Sequence, residues 1–157
     1  MCGIAGLISK KKFASNELQK MTDIVRHRGP DGEGFVFFGN ENSIVIAGGN
    51  DTVDEVWEYK SPYQPTQNIC HLKGSFQIGF GHRRLSILDL SPCGHQPMSY
   101  ADGRYWITYN GEVYNYKELR KELARLGHDF KSKTDTEVIL ASYDQWGVDC
   151  LQRFNGM

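Results

Sequence analysis

The strongest constraint on this chain's fold is the order of its elements: strand and helix do not alternate as they must in a parallel sheet. Strand-like runs lie at Ile4 to Ile8, Gly34 to Phe38, Ser43 to Ala47, Phe76 to Phe80, Arg84 to Leu88 and Arg104 to Tyr109. The nearly continuous apolar run Ile4 to Ile8 predicts a buried strand with Cys2 at its mouth. Gly39-Asn40-Glu41-Asn42 predicts a hairpin between the second and third runs, and Asp102-Gly103 marks a further turn. Helical spacing begins at Asn16, with Gln19 at the third helical position, and continues through Leu18, Met21 and Val25 to about Arg28, where Gly29-Pro30-Asp31-Gly32 stops it. Asn115 and Thr134 open two more helices by the same capping logic, closed by Gly127 and Gly147. The first carries Leu119, Leu123 and Leu126 on one face, the second Val138, Ala141 and Trp146. Short strands with three helices in this order predict an α+β fold of largely antiparallel sheets.

The stretch from Gly48 to Gly74 has no clear period and reads as a long loop with one short helix around Val53 to Tyr59. A loop of that length in a compact domain is functional or an insertion. The 157 residues form a single domain with room for a sizeable core. A net charge of -1 gives no electrostatic case for nucleic acid or a membrane surface. Lys10-Lys11-Lys12 reads as a solvated turn, and neither a membrane span nor a signal peptide is expected. Cys2, Cys70, Cys93 and Cys150 are widely spaced, which argues against a zinc site. Without a secretion signal they are expected as reduced thiols in the cytoplasm.

Cys2 is the chemically pointed residue. Removal of Met1 would give it a free α-amine beside its thiol, and an amine titrating near ~8 can serve as base for a thiol near ~8.5. Alone, Cys2 reads first as a small buried hydrophobe.

Six stretches in order change that balance: Cys2-Gly3-Ile4, Arg28-Gly29-Pro30-Asp31-Gly32, Arg84-Leu85-Ser86-Ile87, Gln96-Pro97-Met98, Asn110-Gly111-Glu112-Val113-Tyr114-Asn115 and Asp135-Thr136-Glu137-Val138-Ile139. Together they closely resemble the N-terminal glutaminase domain of glutamine-hydrolysing asparagine synthetases, the class II, N-terminal-nucleophile type of glutamine amidotransferase. The resemblance runs from Cys2 to Met157. Arg-Leu-Ser-Ile and Gly-Glu-Val-Tyr-Asn favour the asparagine-synthetase branch over relatives that make glucosamine phosphate or phosphoribosylamine. It implies a four-layer α/β/β/α sandwich of two largely antiparallel sheets, and hydrolysis of L-glutamine to glutamate and ammonia.

By this resemblance Cys2 is the nucleophile, while the Asn110 side chain and the Gly111 N–H face the oxyanion. Arg84 takes the substrate α-carboxylate, Asp135 the α-ammonium, and Glu112 a further pocket contact. Read without it, Asn110-Gly111 is a hairpin turn and Asp135 a first-turn acid favoured by the helix dipole. His82 beside Arg84 raises a Cys/His dyad, but the terminal amine already supplies a base, so His82 reads as structural, as do His27 and His95. Arg83 reads as a surface charge. Arg28 to Gly32 is expected to shape a loop near Cys2, and Cys70, Cys93 and Cys150 have no matched role.

The chain departs from the family pattern in the length of its 48–74 stretch, and it contains no Ser-Gly-Gly-Leu-Asp-Ser-like pyrophosphate loop. No cofactor is implied for this domain. ATP and magnesium belong to a C-terminal synthetase domain, absent here and supplied in cis or in trans, and a homodimer stays open. The ammonia acceptor is aspartate by default, with other carboxylates as alternatives. A hydrolase of a different amide and a non-catalytic glutamine-binding or scaffolding domain also remain.

Overall fold

The computed structural model describes residues 1–39, 43–87 and 89–157. Five strands form the larger sheet: β1 (Gly3–Ala14), β2 (Gly32–Phe38), β3 (Ile44–Gly48), β4 (Gln67–Asn68) and β5 (Ser75–Arg84), in the order β1-β5-β2-β3-β4. All neighbours are antiparallel except the short β3–β4 pair. A smaller antiparallel sheet joins β6 (Met98–Tyr100) to β7 (Tyr105–Ile107). The helices are α1 (Ser15–Ile24), α2 (Asp54–Glu58), α3 (Tyr116–Arg125) and α4 (Asp135–Trp146). The turn expected at Gly39 to Asn42 lies partly outside the described residues, but β2 and β3 do pair antiparallel across it.

β2 is apolar on both faces, as a central strand covered on both sides must be. Phe35 and Phe37 point with Phe13, Leu18 and Phe76 into one core. Each such side chain removed from water contributes about 2 kcal/mol. α1 lies close on this face because Gly81 has no side chain: a Cβ there would collide with the Thr22 hydroxyl. On the opposite face Phe38 meets Trp106 of β7 edge-to-face, with centroids 6.1 Å apart. The small sheet is covered in turn by α4, through Leu140 against Met98, and α3 packs on α4 through Leu119, Leu123 and Val138.

Several expectations are corrected. β1 is an edge strand, so its burial is one-sided: Ala5 and Leu7 pack inward, whereas Ile4 and Ile8 are 47% and 73% exposed. It also runs on to Ala14 through a register shift, with Lys10 to Lys12 inside it rather than in a turn. Exposed lysines on an edge discourage pairing with another chain. α1 begins one residue earlier than expected, and the Glu17 carboxylate reaches back to accept the Ala14 N–H at 3.1 Å. It ends at Ile24, and Arg26–Arg28 form a separate 3-10 turn. Leu126 caps α3 half-exposed instead of joining its buried face. Asn115 precedes that helix without capping it. Its side chain accepts from Asn155 N and donates to Arg153 O, both at 2.9 Å.

The strand expected from Arg84 to Leu88 does not form over its described residues. β5 ends at Arg84 because the next donors are taken by side chains: Leu85 N–H by the Cys2 sulfur and Ser86 N–H by Asp31 Oδ2. Leu88 lies outside the described residues.

Candidate active site

Where β5 ends, the chain folds into a cavity of about 160 Å3. That is below the roughly 300–1,000 Å3 of drug-sized sites and suits a small metabolite. Cys2, Arg84, Asn110, Gly111, Glu112 and Asp135, far apart in sequence, all line it.

Cys2 stands one residue before β1, which pairs with β5 through Gly3 and Arg83. Its sulfur accepts the Leu85 N–H at 3.3 Å and lies 3.6 Å from the Leu85 carbonyl. Arg28 Nε donates to the Cys2 carbonyl at 3.1 Å, and Asp31 N donates to Arg84 O at 3.0 Å. The Arg28-to-Gly32 loop therefore shapes the Cys2 surroundings, as expected. Met1 stands at the cavity, exposed, and its peptide bond makes the Cys2 nitrogen an amide.

Arg84, the last residue of β5, is buried. Its guanidinium donates to Ser91 O at 3.1 Å and to Asp89 O. Burial pulls its pKa down, while the nearby Asp89 opposes that shift. Asp135 is the first residue of α4, where the helix dipole favours an acid. It also lines the cavity, so the two readings of Asp135 are compatible. Burial raises its pKa, against the Val113 N–H that donates to its Oδ2 at 2.9 Å.

Asn110 and Gly111 are not a hairpin turn. The small sheet turns at Ala101 to Arg104 instead, and the chain after Gly111 pairs with the C-terminal residues. Glu112 and Met157 exchange both backbone bonds at 2.9 Å, and Val113 bridges Gly156. A Cβ on Gly111 would collide with the Met157 carbonyl.

His82 lines the cavity without bonding to Cys2. Its Nε2 donates to the Tyr109 carbonyl at 3.3 Å, which ties β5 to the residue before Asn110. Burial pushes its pKa down to about 4, so it is neutral near pH 7. Arg83 is no surface charge. One residue along a strand reverses the face, and Arg83 is 1% exposed, with Glu33 at 2.8 Å, Asp51 at 2.5 Å and Asp23 as carboxylate partners.

Asp89, Gln96, Tyr109 and Thr136, residues with no role in the expected site, also line the cavity. Gln96 accepts from Tyr109 N at 2.7 Å and donates to Thr136 Oγ1 at 3.3 Å, bridging the neighbours of Asn110 and Asp135. Its only signal was membership of the Gln96-Pro97-Met98 stretch. Asp89 had only a local one, its bond to Ser91 N two residues on, because Lys133 meets it only in the folded chain.

All four cysteines are free thiols. Among the described residues no helix is long and apolar enough to cross a membrane.

Comparison with known proteins gives this chain a family. The chain matches the family described as glutamine amidotransferase domain over residues 1–48 and 65–157, leaving 49–64 outside the match. It is 34% and 36% identical, over 162 residues, to the glutamine-hydrolyzing asparagine synthetases 1 and 3 of Bacillus subtilis. Both alignments cover all of this chain and 20% of the relative, so the chain spans about a fifth of their length. Its fold matches that of the glutamine phosphoribosylpyrophosphate amidotransferase of B. subtilis, solved with ADP and GMP, at a TM-score of 0.73 and 19% identity. That match covers 99% of this chain and 33% of the other. The chain belongs to the class II glutamine amidotransferase domain family.

Proposed function

We propose that this chain hydrolyses the side-chain amide of L-glutamine, with Cys2 as nucleophile once Met1 is removed. The observation that carries the reading is the convergence of a thiol, a guanidinium and a buried carboxylate on one small cavity. The last two complement the α-carboxylate and α-ammonium of a free amino acid.

In this reading Arg84 holds the α-carboxylate, Asp135 the α-ammonium, and Glu112 adds a pocket contact. The α-amine of Cys2 takes the thiol proton as sulfur attacks the amide carbon. The tetrahedral oxyanion meets the Asn110 side-chain amide and the Gly111 N–H, a single good donor being worth about 3 kcal/mol. The proton then passes to the departing nitrogen, and ammonia leaves a thioester. Water adds to that thioester with the amine as base, releasing glutamate and restoring the thiol. The Leu85 N–H, already on the sulfur, favours the thiolate formed on the way.

Hydrolysis needs no cofactor in this scheme. The ammonia serves an ATP- and magnesium-dependent amidation of a carboxylate, aspartate by default, in a synthetase domain beyond this chain. The resemblance to the asparagine synthetases supports that acceptor, and four free thiols fit a reducing cytoplasm. The stacking of α1, large sheet, small sheet and α4 is read as the four-layer sandwich of N-terminal-nucleophile hydrolases.

The test uses the full-length protein, with an intact mass proving that Cys2 is amino-terminal. Glutamate release from glutamine, abolished in Cys2→Ala, is the expected result. An amino-terminal Cys2 that releases none rejects the reading and leaves a binding or scaffolding domain.

A further inference from the structure

Residues 49–64, the stretch outside the family match, reach the end of β5 from two sides. On one side Asp51 joins the ion network of Arg83, with Arg26 at 2.7 Å on its other oxygen. The Asp51 N–H donates to Glu33 Oε1 at 2.9 Å, and the Thr52 hydroxyl donates to Glu33 O at 2.7 Å. On the other side the Tyr63 hydroxyl donates to the Cys93 carbonyl at 2.7 Å.

Cys93 is the middle residue of the 3-10 turn Pro92–Gly94. The loop that leads into this turn gives Arg84 both of its carbonyl acceptors, Asp89 O and Ser91 O. Gly94 lies so close to the guanidinium that a Cβ there would collide with it. The Tyr63 ring is buried against Met98 and Leu140, which fastens the loop to β6 and to α4, the helix that opens with Asp135.

Resting on the glutaminase reading above, we propose that segment 49–64 is the frame that positions Arg84, and that Tyr63 fixes how its guanidinium presents to the substrate α-carboxylate. Tyr63 is a positioning residue: it does not line the cavity and acts through the Cys93 carbonyl. A guanidinium binds a carboxylate best through two parallel N–H···O bonds, and a rotated fork keeps only one. Loosening the loop therefore weakens ligands that carry an α-carboxylate and leaves the Cys2 chemistry alone.

The test compares full-length wild type and Tyr63→Phe, both with Cys2 amino-terminal. KM for glutamine should rise about five- to tenfold, the scale of one lost hydrogen bond. Competitive inhibition by L-glutamate should weaken by the same factor, with kcat held within about twofold. Alkylation of Cys2 by iodoacetamide, which has no carboxylate, should keep its rate. An unchanged KM, a kcat loss at constant KM, or equal losses in glutamine turnover and alkylation would overturn the proposal. If the wild type neither binds nor hydrolyses glutamine, the glutaminase reading fails on its own. Amide hydrogen exchange over residues 89–96 then decides the frame: faster exchange in Tyr63→Phe supports it, and identical exchange overturns it.

Discussion

The Leu85 N–H points at the Cys2 sulfur, 3.3 Å away, from the first residue beyond the strand that ends in Arg84. Thiol and guanidinium are therefore placed by one event, the exit of the chain from β5. A sheet that continued would spend that N–H on a ladder bond and carry the following residues away from Cys2.

Arg84→Lys should raise KM for glutamine about 10- to 100-fold, since hydrogen bonds to charged groups are worth about 1.5–3 kcal/mol. A lysine keeps the charge but not the fork, and it cannot donate to Ser91 O and Asp89 O while also holding a carboxylate in two-point contact. Steady-state kinetics checks this, and a KM within twofold of wild type would remove Arg84 from the binding role.

Asn110→Ala should lower kcat by about 10²- to 10³-fold with little change in KM, the signature of a donor used only in the transition state. A rise in KM at constant kcat would assign Asn110 to ground-state binding instead.

The fold should lose stability below about pH 6.5 through two buried histidines. Burial pushes His82 down to about 4 and His95 down to about 3, from an ordinary 6.5. Between those values the unfolded chain binds the protons and the folded chain does not, so unfolding gains as pH falls. Each histidine adds a slope of about 1.4 kcal/mol per pH unit. Thermal unfolding from pH 7 to 4.5 should show that slope, and His95→Leu should make it shallower by one proton. An equal slope in the variant would mean that His95 takes up its proton while folded.

Arg83→Met should destabilise the protein by about 3–5 kcal/mol, because it strands Glu33, itself 3% exposed, beside Asp51 without a buried cation. Asp23→Asn should cost less than about 1 kcal/mol, because that partner is half-exposed. Denaturant unfolding compares the two, and equal losses would contradict a buried centre at Glu33.

Local chemistry was legible where it acts over a few residues. Thr134 caps α4 through the Glu137 N–H at 3.3 Å, Gly147 follows its last residue, and β2 pairs with β3 as the two runs flanking Gly39 to Asn42 predict. The short helix α2 inside the long 48–74 stretch falls within the expected residues. Legibility failed where exposure depends on distant neighbours. Ile4 and Ile8 look like core residues until β1 is seen to be an edge strand, and Arg83 looks like any surface arginine until three acids from other elements surround it.

The six candidate site residues were named from their motifs, and the tertiary structure brings all six to one cavity. Sequence by itself determined which groups carry chemistry, because side-chain type and the order of motifs along the chain are properties of the string. It also determined the ends of α4, since the Thr134 cap and the Gly147 stop act within three or four residues. Only the tertiary structure decided that Arg84 faces the cavity while Arg83 faces an ion network, and that Asn110-Gly111 lies against the last residues instead of turning a hairpin. It alone brought Tyr63 to the Cys93 carbonyl, 30 residues along the chain. Those outcomes depend on which strand neighbours which and which backbone donors the sheet leaves free. They are sums over contacts distant in sequence, and no local window contains them.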